Sequence, residues 1–411
     1  MSRWRVSILT DNDTLELPPL SLYVHIPWCV RKCPYCDFNS HQAARDHTDT
    51  EYALPQAEYV AQLRRDLLSQ LPWVQGRKLQ SIFFGGGTPS LFSPEAIGQI
   101  LVMADELVGF VEGVEITLEA NPGTFEQAKF TGYRSAGVNR LSIGVQSFDA
   151  AQLHNLGRIH SGDEAASALA MARRAGFDNI NLDLMHGLPG QAEVEALEDL
   201  RRAVSLGPEH ISWYQLTIEP NTAFYSAPPS TPGSQLIASI QGSGREFLAE
   251  EGYLRYEVSA YSGRGLESRH NLNYWSFGDY LGLGAGAHGK VTLPHEGQIL
   301  RSRRTRTPRD YMSITPAGGE LLHRQLVEPH TDLVEAADLP LEFLMNTLRL
   351  ADGVPTDTFT RYTGLPLGVL QRQWSTLMAM DLVLPLERRI ATSTFGFDYL
   401  DEILQRFLEQ P

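Results

Sequence analysis

The sequence predicts an α/β fold: an open, partial TIM-like barrel of six βα units, (βα)6, followed by a small α+β winged-helix-like C-terminal domain. Three observations lead there. Six short apolar runs, at 22–26, 81–84, 114–119, 140–145, 179–184 and 210–216, read as buried strands. Segments of helical apolar spacing lie between them, and regular strand–helix alternation means a parallel sheet covered by helices. Six repeats fall short of the eight that close a full barrel.

The elements follow in order. Residues 1–19 form an N-terminal extension with Arg3 and Arg5. Its apolar stretch is cut short by Asp11, Asn12 and Asp13, so it does not read as a signal peptide. The barrel is expected over 20–225. Its first helix is marked by Val60, Leu63, Leu67 and Leu71, one face of a 3.6-residue period. Further helices are expected over about 94–108, 125–136, 163–175 and 193–206. Pro228, Pro229, Ser230, Thr231, Pro232 and Gly233 punctuate the chain. A third unit, 226–334, opens with a helix at 234–251 and a strand near 256–259, then runs through a Gly- and aromatic-rich stretch, 261–290. The last unit, 335–411, carries helices at 341–350 and 367–380, the second starting just after Pro366. A hairpin at 381–394 and a closing helix at 399–408 complete it.

Composition narrows the function. The 411 residues are 42% hydrophobic and 20% charged, enough to fill a sizeable core. A net charge of -15, from 49 acidic and 34 basic residues, argues against sequence-independent nucleic-acid binding, which needs a basic footprint. No run of about 18 apolar residues marks a membrane span. The chain holds 3 cysteines, an odd number and all close together, which fits a reducing, cytoplasmic setting and a metal site rather than a disulfide framework.

Those cysteines are Cys29, Cys33 and Cys36, on a loop with Pro27 and Pro34 just after the first strand. Iron–sulfur clusters take thiolate ligands, normally four. Three thiolates on a [4Fe–4S] cluster leave one iron open, and an open position is where chemistry happens. The alternatives are zinc held by the three thiolates plus His25 or His41, and buried thiols with no metal.

Gly85-Gly86-Gly87-Thr88-Pro89 follows the second strand. Glycine lets the backbone approach a ligand closely, so this turn is a candidate to hold a polar, amino-acid-like ligand; a plain tight turn is the other reading. Glu119, Gln146, Arg158 and Asp183 fall at or just after the ends of strands three to five, on the rim where α/β folds bind ligands. Carboxylates there suit ribose hydroxyls or an ammonium, and Arg158 suits a carboxylate. Taken singly, each is more often a structural hydrogen-bonder; together, at the ends of strands three to five, they point to one ligand site.

The segment Tyr23-Val24-His25-Ile26-Pro27-Trp28-Cys29 through Cys36, with Gly-Gly-Gly-Thr-Pro and Gly144-Val145-Gln146-Ser147-Phe148, resembles radical S-adenosylmethionine (SAM) enzymes of the oxygen-independent coproporphyrinogen III oxidase family. The likeness runs over nearly the whole chain. It implies a radical SAM barrel in which Cys29, Cys33 and Cys36 ligate the cluster and the amino and carboxylate groups of SAM chelate the open iron. Tyr23, Gly86, Gly87, Thr88 and Glu119 would contact SAM, and Gln146, Arg158 and Asp183 would line its site. Two features depart from the oxidase. Its fourth cysteine is replaced by Phe38, and His270-Asn271-Leu272-Asn273-Tyr274-Trp275 matches the HNxxYW signature of heme chaperones related to it. The resemblance therefore implies a protein that binds heme and delivers it to hemoproteins of the respiratory chain, as a monomer or homodimer. The alternative it implies is the oxidase itself, decarboxylating coproporphyrinogen III through a 5′-deoxyadenosyl radical.

Neutral imidazole is a standard axial ligand of heme iron. Of 12 histidines, His270 is the candidate, with Tyr274 and Trp275 as a flat apolar wall. The competing reading is that His270 and Asn271 tie a loop to the barrel. His288 reads as structural, and His25 as support for the Cys loop. Arg301, Arg303, Arg304, Arg306 and Arg309 form a basic cluster, read as a solvated face or as a site for heme propionates or peripheral contact with an anionic membrane.

Overall fold

The computed structural model of the chain describes residues 15–43, 54–123, 127–313 and 329–408. Most of the N-terminal extension and the start of the helix expected at 125–136 lie outside them.

The six expected strands form, each within a few residues of the expected bounds: β1 (Leu20–Ile26), β2 (Leu79–Gly86), β3 (Phe110–Ala120), β4 (Arg140–Gln146), β5 (Ile180–His186) and β6 (His210–Gln215). They lie side by side in sequence order, all parallel. In β1 every residue but Tyr23 is buried, as expected of a strand covered on both faces. Helices α1 (Gln56–Val74), α2 (Pro94–Leu107), α3 (Phe130–Ala136), α4 (Gly162–Arg174) and α5 (Glu193–Ser205) cover the outside. Local chemistry sets their starts. Ser93 caps α2 by accepting from Ala96 N–H, with Pro94 in the first turn. Ser161 and Glu164 form a reciprocal capping box on α4. α3 begins later than expected, at Phe130.

The sheet is larger than six strands. The region after 226 supplies α6 (Ser234–Glu250), β7 (Leu254–Glu257), β8 (Ala260–Ser262), α7 (Arg269–Trp275), β9 (Asp279–Leu283), β10 (His288–Leu293), β11 (Gln298–Arg303) and β12 (His330–Leu333). Strand β9 pairs parallel with β1 on its free side, Leu20 against Asp279. Antiparallel strands then extend both ends, giving a 12-stranded sheet in the order β12-β11-β10-β9-β1-β2-β3-β4-β5-β6-β8-β7. The edge strands β12 and β7 do not meet, so the barrel stays open. What was expected to be a separate stretch is thus continuous with the barrel sheet.

The C-terminal helices Leu339–Thr347, Asp357–Thr363 and Gln371–Ala379, with the small ladder Val354–Pro355 against Arg389–Ile390, enclose a second core around Phe343, Phe359 and Trp374. The expected hairpin closes through the bridge of Val383 with Thr392. Phe277 and Ile299 of the preceding region pack into this same core. No helix among the described residues is long and apolar enough to cross a membrane.

Candidate functional site

The C-terminal ends of β1–β6 open into a cavity of about 670 Å³. Its walls include Cys29, Cys33, Cys36, Gly86, Gly87, Thr88, Glu119, Gln146, Arg158 and Asp183. The fold therefore gathers on one cavity every residue expected to ligate the cluster, SAM or heme iron except two, Tyr23 and His270. Those two line a second cavity of about 600 Å³, together with His25, Phe38, Tyr274, Tyr280, His288, Arg303 and Arg306. Asp37, Phe38, Gly86 and Glu119 border both spaces, so the cavities are neighbours divided by the Cys loop and the end of β2.

The Cys loop is held at both ends. Trp28–Cys29 pairs with His41–Gln42 in a short parallel ladder. His25 Nε2 sits 2.9 Å from Asn39 O, and Asn39 Nδ2 donates to the carbonyls of Ala285 (2.9 Å) and Arg306 (2.7 Å). His25 thus braces the loop, as its position just ahead of the Cys loop implied. Burial pushes the Cys29 and Cys36 thiols up, which holds them protonated until a metal claims the thiolate. Among the described residues no three His, Cys, Asp or Glu side chains converge closely enough for a single metal ion. Tetrahedral zinc would need its sulfurs about 2.3 Å from one centre. All three cysteines lie on the wall of the first cavity.

The Gly turn must be glycine. Gly86 adopts φ +115, and a Cβ there would come within 2.5 Å of the His25 ring; one on Gly87 would come within 2.5 Å of Trp28 O. The backbone of Gly87 and Thr88 donates to Ile26 O and Trp28 O, laying this turn against the start of the Cys loop.

Charge distribution is the most telling property of the first cavity. Glu119 and Asp183 both line it. Burial first, then repulsion from Asp183, pushes the Glu119 carboxyl up to about 8, and a hydrogen bond from Gly86 offsets part of this. Asp183 is raised by burial, although Ser142 Oγ (2.8 Å) and Asn181 Nδ2 (2.9 Å) donate to it. Two enclosed carboxyls of this kind are relieved by a cationic ligand. Arg158 is more committed than its sequence reading implied. It donates to Gly144 O (2.6 Å) and Asn121 Oδ1 (3.0 Å), and its other nitrogen lies 3.8 Å from Cys33 Sγ. Gln146 has φ +70, a costly conformation outside glycine, and accepts from Tyr214 OH at 2.7 Å. Tyr214 and Asn121 were not singled out in the sequence. Tyr214 is the last residue but one of β6 and Asn121 directly follows β3, so both stand on the rim where ligand residues are expected.

His270 is buried at the start of α7. Its backbone N–H donates to Glu115 Oε1 (3.0 Å), its Nδ1 bonds Ser81 Oγ (3.1 Å), and its ring packs 5.0 Å from Phe83. No protein group among the described residues bonds Nε2. Burial lowers its pKa to about 3, so the ring is neutral at any working pH. Asn271 donates to Tyr256 OH, so the loop-tying role of this segment is real. Tyr274 joins the cavity wall, but Trp275 does not. It packs toward the C-terminal core with Arg349 stacked 4.3 Å over its ring. The arginine cluster also divides: Arg304 is buried against Asp66, Arg301 pairs with Glu342, and Arg303 and Arg306 face the second cavity.

An open parallel barrel with three cysteines at its mouth and a Gly-rich turn beside them defines a radical SAM protein, and residues 23–203 match the radical SAM superfamily model. Residues 334–382 match the HemN C-terminal domain. The chain is 46% identical to "Heme chaperone HemW" of Haemophilus influenzae over 96% of this chain and 99% of that one. It is also 46% identical to the protein of the same name from Escherichia coli, over 96% and 100%. A mitochondrial radical S-adenosyl methionine domain-containing protein 1 of Mus musculus is 33% identical over 97% of this chain and 91% of that one. The chain belongs to the HemW family. The solved structure of coproporphyrinogen III oxidase (HemN) from Escherichia coli shares the fold, with TM-score 0.77 at 21% identity, covering 95% of this chain and 90% of that one.

Proposed function

We propose that this protein is a heme chaperone that holds one [4Fe–4S] cluster on Cys29, Cys33 and Cys36, binds SAM in the first cavity and carries heme in the second. Residues 20–225 carry the cluster and SAM, 226–334 complete the heme seat, and 335–411 form a separate small unit. Cytoplasmic delivery to hemoproteins of the respiratory chain follows from this reading. The carrying observation is the placement of two ligand-sized cavities on either side of one cysteine loop.

The residues fit these groups. Three thiols border the first cavity, and a bound cluster would supply an iron open to an amino-acid chelate. Glu119 and Asp183 are carboxyls whose ionised forms SAM's ammonium and sulfonium would favour, with Gly86, Gly87 and Thr88 offering backbone. Tyr23 stands one step away, its hydroxyl 3.1 Å from His25 Nδ1, and bears on SAM through the shared wall. His270 offers a neutral imidazole with Nδ1 already fixed by Ser81, the arrangement that orients an axial ligand. Phe38, 62% exposed on the Cys loop, adds apolar surface where the oxidase has a thiolate.

The test is anaerobic reconstitution with iron and sulfide, then heme titration and transfer to an apo-hemoprotein, with His270→Ala alongside. We expect about four irons per chain, a saturable Soret shift, and loss of that shift in the variant. The chaperone reading falls if the variant binds heme like wild type, or if SAM and reductant yield decarboxylated porphyrinogen.

A further inference from the structure

The second cavity carries two cations that the protein's own structure leaves largely uncommitted. Of the three arginines on its wall, Arg304 is buried and paired with Asp66. Arg303 is half exposed, and its closest carboxylate, Asp332, lies at 3.9 Å, the outer limit of an ion pair. Its other contact is His330 Nε2 at 3.3 Å. Arg306 pairs with no carboxylate among the described residues. Its backbone is fixed, because Asn39 Nδ2 donates to its carbonyl at 2.7 Å. His288 stands directly opposite Arg303 in the β10–β11 ladder, so the two side chains rise from the same sheet face. The acidic groups on this cavity, Asp37 and Glu119, lie on the side shared with the first cavity.

A chain of net charge -15 has many carboxylates to offer, yet these two guanidinium groups sit beside an aromatic wall of Tyr274 and Tyr280. Guanidinium is the side chain whose fork matches a carboxylate, and two spaced forks match a flat ligand with two acid arms. We propose that Arg303 and Arg306 form a carboxylate-reading edge, so that the second cavity selects its macrocycle by the propionate side chains as well as by the metal. The proposal rests on the heme reading above and adds residues to it that are distinct from His270.

The experiment compares acid and ester forms of one ligand on the full-length protein. Hemin and its dimethyl ester, then metal-free protoporphyrin and its dimethyl ester, are titrated into wild type and the Arg303→Ala/Arg306→Ala variant. Absorbance and tryptophan quenching report binding. Wild type should bind each diacid at least about tenfold more tightly than its diester, the effect of about 1.4 kcal/mol. The double variant should bind diacid and diester alike, at the level of the wild-type diester. Both arginines are solvent-exposed, so the variant should fold, which its unchanged Tm verifies. A wild type without preference, or a variant that keeps the full preference, overturns the proposal while leaving heme binding intact. A wild type that binds neither hemin nor protoporphyrin overturns both readings. The metal-free pair isolates this edge from His270, which has no iron to ligate there.

Discussion

Replacing Glu119 by Gln should make the SAM-free protein more stable while costing it SAM affinity, and both effects should depend on pH. The carboxyl is enclosed, is repelled by Asp183, and titrates near 8 rather than at the ordinary 4.5. A folded-state value above the unfolded one means the native state binds the extra proton. Stability is therefore full below about pH 4.5 and falls as pH climbs toward 8. Each pH step in that window costs about 1.4 kcal/mol, roughly 3 kcal/mol at pH 7. Cavity water screens part of it, leaving about 2 kcal/mol. The amide carries no charge and removes this penalty. Denaturant melts of SAM-free wild type and Glu119→Gln should coincide near pH 5 and separate by about 2 kcal/mol at pH 7 to 8. SAM affinity of wild type should rise with pH up to about 8, because the ionised carboxylate is the form a cation prefers, and the variant should show no such rise. A variant less stable than wild type at every pH, or a gap that does not widen with pH, would refute the reasoning.

Three further outcomes follow from the same geometry. Gly86→Ala forces a non-glycine residue to φ +115 and drives its Cβ into the His25 ring, so it should cost about 2–4 kcal/mol and lower iron retention, read by melting and iron analysis. Tyr214→Phe removes the donor to Gln146 Oε1 and should cost about 1 kcal/mol with a several-fold loss of SAM affinity by calorimetry; an unchanged affinity removes Gln146 from the SAM site. His270 has its pKa depressed to about 3, so it destabilises the fold only as pH falls below about 6.5, and heme affinity should not change with pH between 7 and 9 through this residue. A heme titration that tracks a group near 6.5 would assign the ligand to another histidine.

The parts of the fold visible in the sequence were those governed by local pattern. β1 to β6 announce themselves because each carries a short apolar run, as expected of strands largely covered on both faces. β9 does not: it has five residues, includes Gly282, and lies between an aromatic helix and a glycine turn. Its pairing with β1 closes a gap of about 260 positions in sequence, which no local pattern encodes. The first cavity was legible because cysteines, glycines and rim residues stand at strand ends. The second was not, since it is assembled from β1, the Cys loop, α7 and the β10–β11 hairpin. Trp275 illustrates the limit. Its neighbour Tyr274 turns to the cavity while Trp275 turns to the C-terminal core, because residues one apart on a helix point about 100° from each other.

Asn39 ties the two halves of this molecule together. One end of the cysteine loop is fastened by its amide to the carbonyls of Ala285 and Arg306, and its own carbonyl is pinned by the His25 ring. A shift of the cysteine loop would therefore be felt at Ala285 and Arg306, on the side of the neighbouring chamber.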